Sequence, residues 1–267
     1  MNFINKLLNL FNIYFRKDKI LLSKPIGSTL EYQEIFNRAK KLKIEEIEKI
    51  FDEREVIIEK NWFDELALKT QIVIKKSEIN YYHGKLLYFF LTKYLDDNKF
   101  DEITILETGT ARGYSSICMS KALNDRKQKG KIFTIDILPN NKKMYWNCIE
   151  DHKGKNTRLD LLQPWKNELK NIVFIEGRTK KKLKKMSFDR INFAFLDAAH
   201  TYKDVINEFN FVSNLQKKGD VIFFDDYSPE VFNPVVKAIN EIEKLNKYRF
   251  EKIYSTEQRG YAVAYKL

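Results

Sequence analysis

The sequence predicts an α/β protein: a doubly wound, mostly parallel sheet that ends in an antiparallel hairpin and is preceded by a helical cap. Three observations carry this. From residue 103 onward, short apolar runs alternate with amphipathic stretches of helical period. Four of the first five runs end in a carboxylate (Glu107, Asp136, Glu176 and Asp197), and the fifth ends in the pair Asp225 and Asp226. The last two runs are separated only by the polar loop 256–260, which reads as a hairpin.

In chain order, residues 1–24 form an amphipathic segment, 25–98 a helical cap and 99–267 the α/β domain. Asn2, Asn5, Lys6, Asn9 and Asn12 recur at helical spacing against an apolar remainder, followed by Arg16, Lys17 and Lys19. The segment is too short to span a bilayer, and it lacks the basic start and small-residue cleavage site of a signal peptide. It is expected either to lie on a membrane surface with its basic flank at the headgroups, or to pack on its own domain or on a second subunit in a homo-oligomer. Lys24–Thr29 is a turn-rich break. Residues 30–60 carry one helical pattern through Ile35, Leu42, Ile44, Ile47 and Ile50, and residues 82–95 carry another.

Strands are predicted at 103–107, 131–136, 171–176, 191–197 and 220–225, then at 248–255 and 260–266, seven in all. Helices are predicted at 113–123, 202–215 and 230–245. The last begins at Ser228 as N-cap, with Pro229 in the first turn. Helical crossovers between consecutive strands imply parallel pairing with helices on both faces. Ligands then bind outside the carboxyl ends of the strands, which is where the acids gather.

Apolar residues make up 43% of the chain, enough to bury a substantial core and to exclude a disordered protein. Net charge is +11, which suits nucleic acid, anionic lipid or an acidic substrate, or serves solubility alone. The densest basic run, Arg178 to Lys185, falls in one predicted helix and reads as a solvated face. Two cysteines outside any CxxC pair, Cys118 and Cys148, point to a reducing cytoplasm rather than a disulfide framework. With three histidines and no Cys/His cluster, a structural zinc site is not expected.

The turn after the first strand reads Glu107-Thr108-Gly109-Thr110-Ala111-Arg112-Gly113-Tyr114-Ser115. Glycine there lets backbone approach a ligand, and the helix N-terminus that follows offers unpaired N–H groups. A dinucleotide fingerprint counted from Gly109 requires glycine where the chain has Ala111 and Tyr114, and the tyrosine crowds a diphosphate. The pattern resembles instead the first motif of class I S-adenosylmethionine (SAM)-dependent methyltransferases, with Ala111 in place of the middle glycine. That resemblance covers roughly residues 80–267 and implies a Rossmann-like, seven-stranded fold with SAM as cofactor. It implies SAM contacts from Glu107, Thr108, Gly109, Gly113, Tyr114 and Ser115. Asp136 would bind the ribose hydroxyls, and Glu176, Gly177 and Arg178 the adenine.

After the fourth strand stands Asp197-Ala-Ala-His200-Thr-Tyr202, and after the fifth Asp225-Asp226-Tyr227. Neighbouring strands lie about 4.8 Å apart, so carboxylates at their ends can converge on one hard cation such as Mg²⁺. Such an ion lowers the pKa of a bound hydroxyl, which methyl transfer to a neutral alcohol needs. The paired signature resembles the metal-dependent small-molecule O-methyltransferases of the macrocin O-methyltransferase type, which act on sugars of natural products. The resemblance implies Asp197, Asp225 and Asp226 as metal ligands and Asp197 or His200 as general base. The acceptor it implies is a small hydroxylated molecule, a sugar or glycosylated metabolite.

Two other classes compete. A nucleic-acid methyltransferase or binding protein is suggested by the charge, but neither an RNP1-like run nor an N/D-P-P-Y/F motif is present. A silent scaffold, peripheral at the inner membrane surface, is suggested by residues 1–19, but the intact acids argue for activity. Tyr81, Tyr82 and His83 are read as packing or as substrate lining. The polar stretch 151–166 is read as a lid flanked by Trp146 and Trp165, each either core or stacked on substrate.

Overall fold

The computed structural model describes residues 24–52, 56 and 59–267. Residues 1–23 lie outside the described residues, and with them the expectation of membrane or subunit contact. The cap comprises α1 (Thr29–Lys41), α2 (Glu45–Asp52), α3 (Lys60–Thr70) and α4 (His83–Asp96). Ser28 and Glu31 close α1 with a capping box, each side chain accepting from the other's backbone N–H. The single helical pattern expected over 30–60 is broken at Leu42–Ile44. There Leu42 turns to extended backbone, and its carbonyl accepts a hydrogen bond from the Tyr82 hydroxyl at 2.5 Å.

The sheet holds β1 (Ile103–Thr108), β2 (Gly130–Asp136), β3 (Ile172–Glu176), β4 (Phe193–Leu196), β5 (Val221–Phe224), β6 (Tyr248–Thr256) and β7 (Arg259–Lys266). Their order is β3-β2-β1-β4-β5-β7-β6, with β7 antiparallel to both of its neighbours and the other pairs parallel. The expected seven-stranded, mostly parallel sheet with a terminal hairpin is therefore present. The order reverses between β1 and β4, which opens a crevice above their carboxyl ends.

Both faces are covered, which is why the strands read as continuous apolar runs. On β4, Phe193 and Phe195 face the cap helices and α5 (Tyr114–Asp125), while Ala194 and Leu196 face α6 (Tyr202–Ser213) and α7 (Pro229–Glu243). On β5, Phe223 and Phe224 divide in the same way. Ser228 sits at the N-cap of α7, but its hydroxyl makes no cap bond and donates instead to the Glu257 carbonyl at 2.9 Å. Among the described residues, no helix is long and apolar enough to cross a membrane.

Candidate active site

Three loops meet at the carboxyl edge. After β1, Gly109 adopts φ +92°, and a Cβ on it would stand 2.0 Å from the Asp197 carbonyl oxygen. Only glycine lets the β1 and β4 loops touch this closely. Ala111 follows at φ +46°, the left-handed region that favours glycine. Alanine is held there because its N–H donates to Asp136 Oδ2 at 2.6 Å. Gly113, at φ +94°, then opens α5. Beneath the turn, Glu107 is fully buried and accepts hydrogen bonds from the Ser115 and Ser116 hydroxyls. Burial pushes its carboxyl pKa up, and those two donors oppose the rise.

Asp136, at the end of β2, also accepts from the Leu138 N–H at 2.7 Å. Burial raises its pKa, against the nearby Arg158. Arg158 is itself buried and spans two loops, donating to the Ala111 carbonyl at 3.0 Å and the Leu138 carbonyl at 3.3 Å. Asp136 marks one end of a 440 Å³ cleft, walled by Ile137, Leu138, Tyr145 and Trp146.

The acids of β4 and β5 mark the other end. Asp226, at φ +59°, receives His200 Nδ1 at 2.8 Å on one oxygen and Arg259 Nη1 on the other. Burial alone would raise its pKa, but His200 and Arg259 hold it below the ordinary value. His200 is in turn raised: burial favours the neutral ring, and Asp226 overcomes it. Asp225 has other partners. Both its oxygens accept from Asn80 Nδ2, at 3.0 and 2.8 Å, and Oδ1 also takes the Asp226 N–H. Burial, then Asp226, pushes its pKa up to about 7. Asp197 is raised well above its usual range by burial and by both neighbouring acids. Among the described residues, no hydrogen bond engages its carboxylate.

The donor atoms of Asp197, His200 and Asp226 lie within 4.8 Å of one another, close enough to share one cation. Two carboxylates and an imidazole suit a divalent ion. The grouping differs from the expected three carboxylates, because Asn80 occupies Asp225 and His200 takes its place.

Of the residues singled out from sequence, Gly109, Tyr114, Ser115, Asp136, Asp197, His200, Asp225 and Asp226 line the cleft. Glu107, Thr108 and Gly113 stand behind it. Thr108 is buried, donating to Glu208 at 2.8 Å, and a Cβ on Gly113 would meet Leu162. Glu176, Gly177 and Arg178 lie outside. Glu176 pairs in register with Asp136 across β2–β3, but its carboxylate accepts from the Asn140 N–H at 3.2 Å. The wall beside Asp136 comes from the 137–147 segment, through Ile137, Leu138, Met144, Tyr145, Trp146 and Asn147.

Trp146 lines the cleft, whereas Trp165 belongs to the core. The stretch 151–166 is not an open lid: it folds into short helical turns that bury Arg158, Leu162 and Trp165. Tyr81 donates to Asp64, and Tyr82 to the Leu42 carbonyl, so both act as struts of the cap. His83 lines the cleft, with its pKa pulled down to about 3 by burial.

Among the cleft residues that escaped the sequence reading are Lys75, Asn80 and Arg259. Lys75 and Asn80 sit on an irregular strap, residues 71–80, that carries no period to read. Arg259 opens β7, where the sequence shows only a polar loop.

The sequence model of a family described as a methyltransferase domain matches residues 106–227. The uncharacterized protein R132 of Acanthamoeba polyphaga mimivirus is 31% identical over 176 residues, covering 57% of this chain and 67% of that protein. The chain belongs to the methyltransferase-domain family. Solved structures share the fold of this methyltransferase. Cofactor-bound Rv0187 from MTB aligns with TM-score 0.57 at 14% identity, over 85% of this chain and 98% of that one. The O-methyltransferase TomG from Streptomyces achromogenes, solved with SAM, gives 0.53 at 16% identity over 90% and 99%. The O-methyltransferase NovP gives 0.55 at 13% identity over 90% and 99%.

Proposed function

We propose that this methyltransferase moves the methyl group of SAM to a hydroxyl of a small molecule, a sugar or a similarly hydroxylated metabolite, with help from a divalent ion such as Mg²⁺. One observation carries the reading. A single 440 Å³ cleft has Asp136 at one end and the Asp197, His200 and Asp226 cluster at the other. The first suits vicinal hydroxyls and the second an activated nucleophile.

SAM supplies an electrophilic methyl group, and the ion, when bound, supplies a Lewis acid that lowers the pKa of the acceptor hydroxyl. The chain's own residues do the rest. Asp136 keeps a lone pair on each oxygen beyond its two backbone donors, and these accept the ribose hydroxyls. Asp197 and Asp226 would hold the ion, beside His200. His200 takes the hydroxyl proton, and Asp226 orients its ring and stabilises the protonated form. The apolar wall excludes water from the transfer.

Calorimetry with SAM, and turnover with and without EDTA, test this. Saturable SAM binding with EDTA-sensitive turnover is expected. No SAM binding removes the whole reading, and EDTA-insensitive turnover removes the ion alone.

A further inference from the structure

We infer that Lys75 is an anion-binding residue of the acceptor site, so that the methylated molecule carries a carboxylate or phosphate near its reacting hydroxyl. This rests on the proposed function for the location of the acceptor, which lies at the acid end of the cleft.

Lys75 sits on the strap between α3 and α4 and lines the cleft. The strap is fastened on both sides of it. Asn147 clamps Ile74, accepting its N–H at 3.1 Å and donating to its carbonyl at 2.9 Å. Beyond Lys75, Arg259 Nη2 donates to Ser77 Oγ at 3.1 Å and to the Glu78 carbonyl at 3.0 Å. Asn80 is held by Asp225 and by the Tyr261 hydroxyl. The position of Lys75 is thus set by the fold, at a backbone cost already met by its neighbours.

Its ammonium is left without a partner. The charged groups that act on it are Arg259, Asp226, Asp225 and Asp197, yet among the described residues no carboxylate lies within ion-pair distance. Burial, then Arg259, pulls its pKa down to about 8, so it stays mostly cationic at neutral pH. A half-buried cation with no carboxylate in ion-pair reach is costly, and it is kept where a ligand completes it. The acids beside it are otherwise answered. Arg259 and His200 serve Asp226, Asn80 serves Asp225, and the proposed ion serves Asp197. Lys75 is the cation of this end with no ion-pair partner, and the charged groups that act on it, Arg259, Asp226, Asp225 and Asp197, belong to the acid end of the cleft.

The test is calorimetry on the full chain with inorganic phosphate, glucuronate, glucose 1-phosphate and glucose, each with and without S-adenosylhomocysteine. Wild type is compared with Lys75→Met and Lys75→Arg, with melting curves confirming that both fold. The wild type is expected to prefer the three anions to glucose. Lys75→Met should lose roughly 10- to 100-fold in anion affinity, and Lys75→Arg should keep most of it. The inference is overturned if wild type shows no preference for the anions, or if Lys75→Met binds them as well. It is also overturned if Lys75→Met weakens S-adenosylhomocysteine tenfold or more but leaves 5′-methylthioadenosine unchanged, which would put the cation on the cofactor's own carboxylate. S-adenosylhomocysteine binding with no anion binding sinks this inference and spares the proposed function. Anion binding that depends on Lys75, with no S-adenosylhomocysteine binding, sinks the proposed function and leaves Lys75 as an anion site without a methyl acceptor.

Discussion

Replacing Arg259 with Met should unfasten the site and the cap together. The guanidinium donates to Asp226 Oδ1 while its second amino group holds Ser77 Oγ and the Glu78 carbonyl. The Arg259 and Asp226 side chains are 7% and 4% exposed, so solvent cannot replace the lost partner. Removing one member of a buried pair costs about 3–5 kcal/mol. His200 keeps a hand on the Asp226 carboxylate, which favours the lower end. For a chain of this size that corresponds to a drop in melting temperature of roughly 10 °C. Urea unfolding of wild type, Arg259→Met, Asp226→Asn and the double variant gives the coupling directly. The double variant should recover about 2 kcal/mol relative to the sum of the singles. A loss under about 1 kcal/mol for Arg259→Met, or a cycle additive within about 0.5 kcal/mol, refutes the reasoning.

Asp136→Ala removes the acceptor proposed for two ribose hydroxyls and should weaken S-adenosylhomocysteine roughly 10- to 100-fold by calorimetry; an effect under about threefold would place the ribose elsewhere. Asp197→Asn should lower turnover roughly 100-fold or more. It should also raise the melting temperature at neutral pH, because burial and two acidic neighbours penalise its ionised form; a lower melting temperature contradicts the electrostatics. Glu208, whose folded pKa burial lifts from 4.5 to about 8, holds its proton more tightly folded than unfolded. Its contribution is therefore whole below about pH 4.5 and lost as pH rises through about 8. Glu208→Gln keeps an acceptor for Thr108 and should gain roughly 3–5 kcal/mol on wild type between about pH 5 and about pH 9, read from urea midpoints; parallel profiles would count against it.

The strands were legible because a parallel sheet covered on both faces needs uninterrupted apolar residues, and each of the first five runs stops at a carboxylate at the sheet edge. The glycine turn was legible for a related reason: Gly109 and Gly113 stand where backbone must take positive φ. Ala111 looked like a departure from the glycine pattern, yet it occupies the same left-handed conformation, tied down by Asp136. A sequence reports the residue and not the bond that compels it. The break at Leu42 belongs to the same class, since the Tyr82 hydroxyl that takes its carbonyl lies 40 residues further on. Lys75, Asn80 and Arg259 were illegible because they serve the site from an irregular strap and a hairpin, at separations where no local periodicity speaks for them.

The sequence also presents Asp197, Asp225 and Asp226 as equals, and the fold does not treat them so. Three acids this close, two of them buried, cannot all stay ionised without separate compensation. Asn80 spends its amide on Asp225, which fixes the strap to the end of β5 and takes that carboxylate out of play as a donor. Arg259 and His200 converge on Asp226, holding its pKa down and tying the terminal hairpin to the loop after β4. Asp197 alone receives no partner and faces the cleft with its charge least stabilised. A group in that condition gains most when a cation or a donor hydroxyl arrives. Under the proposed function the edge would therefore work through Asp197 with His200 and Asp226 beside it, while Asp225 is committed to the strap.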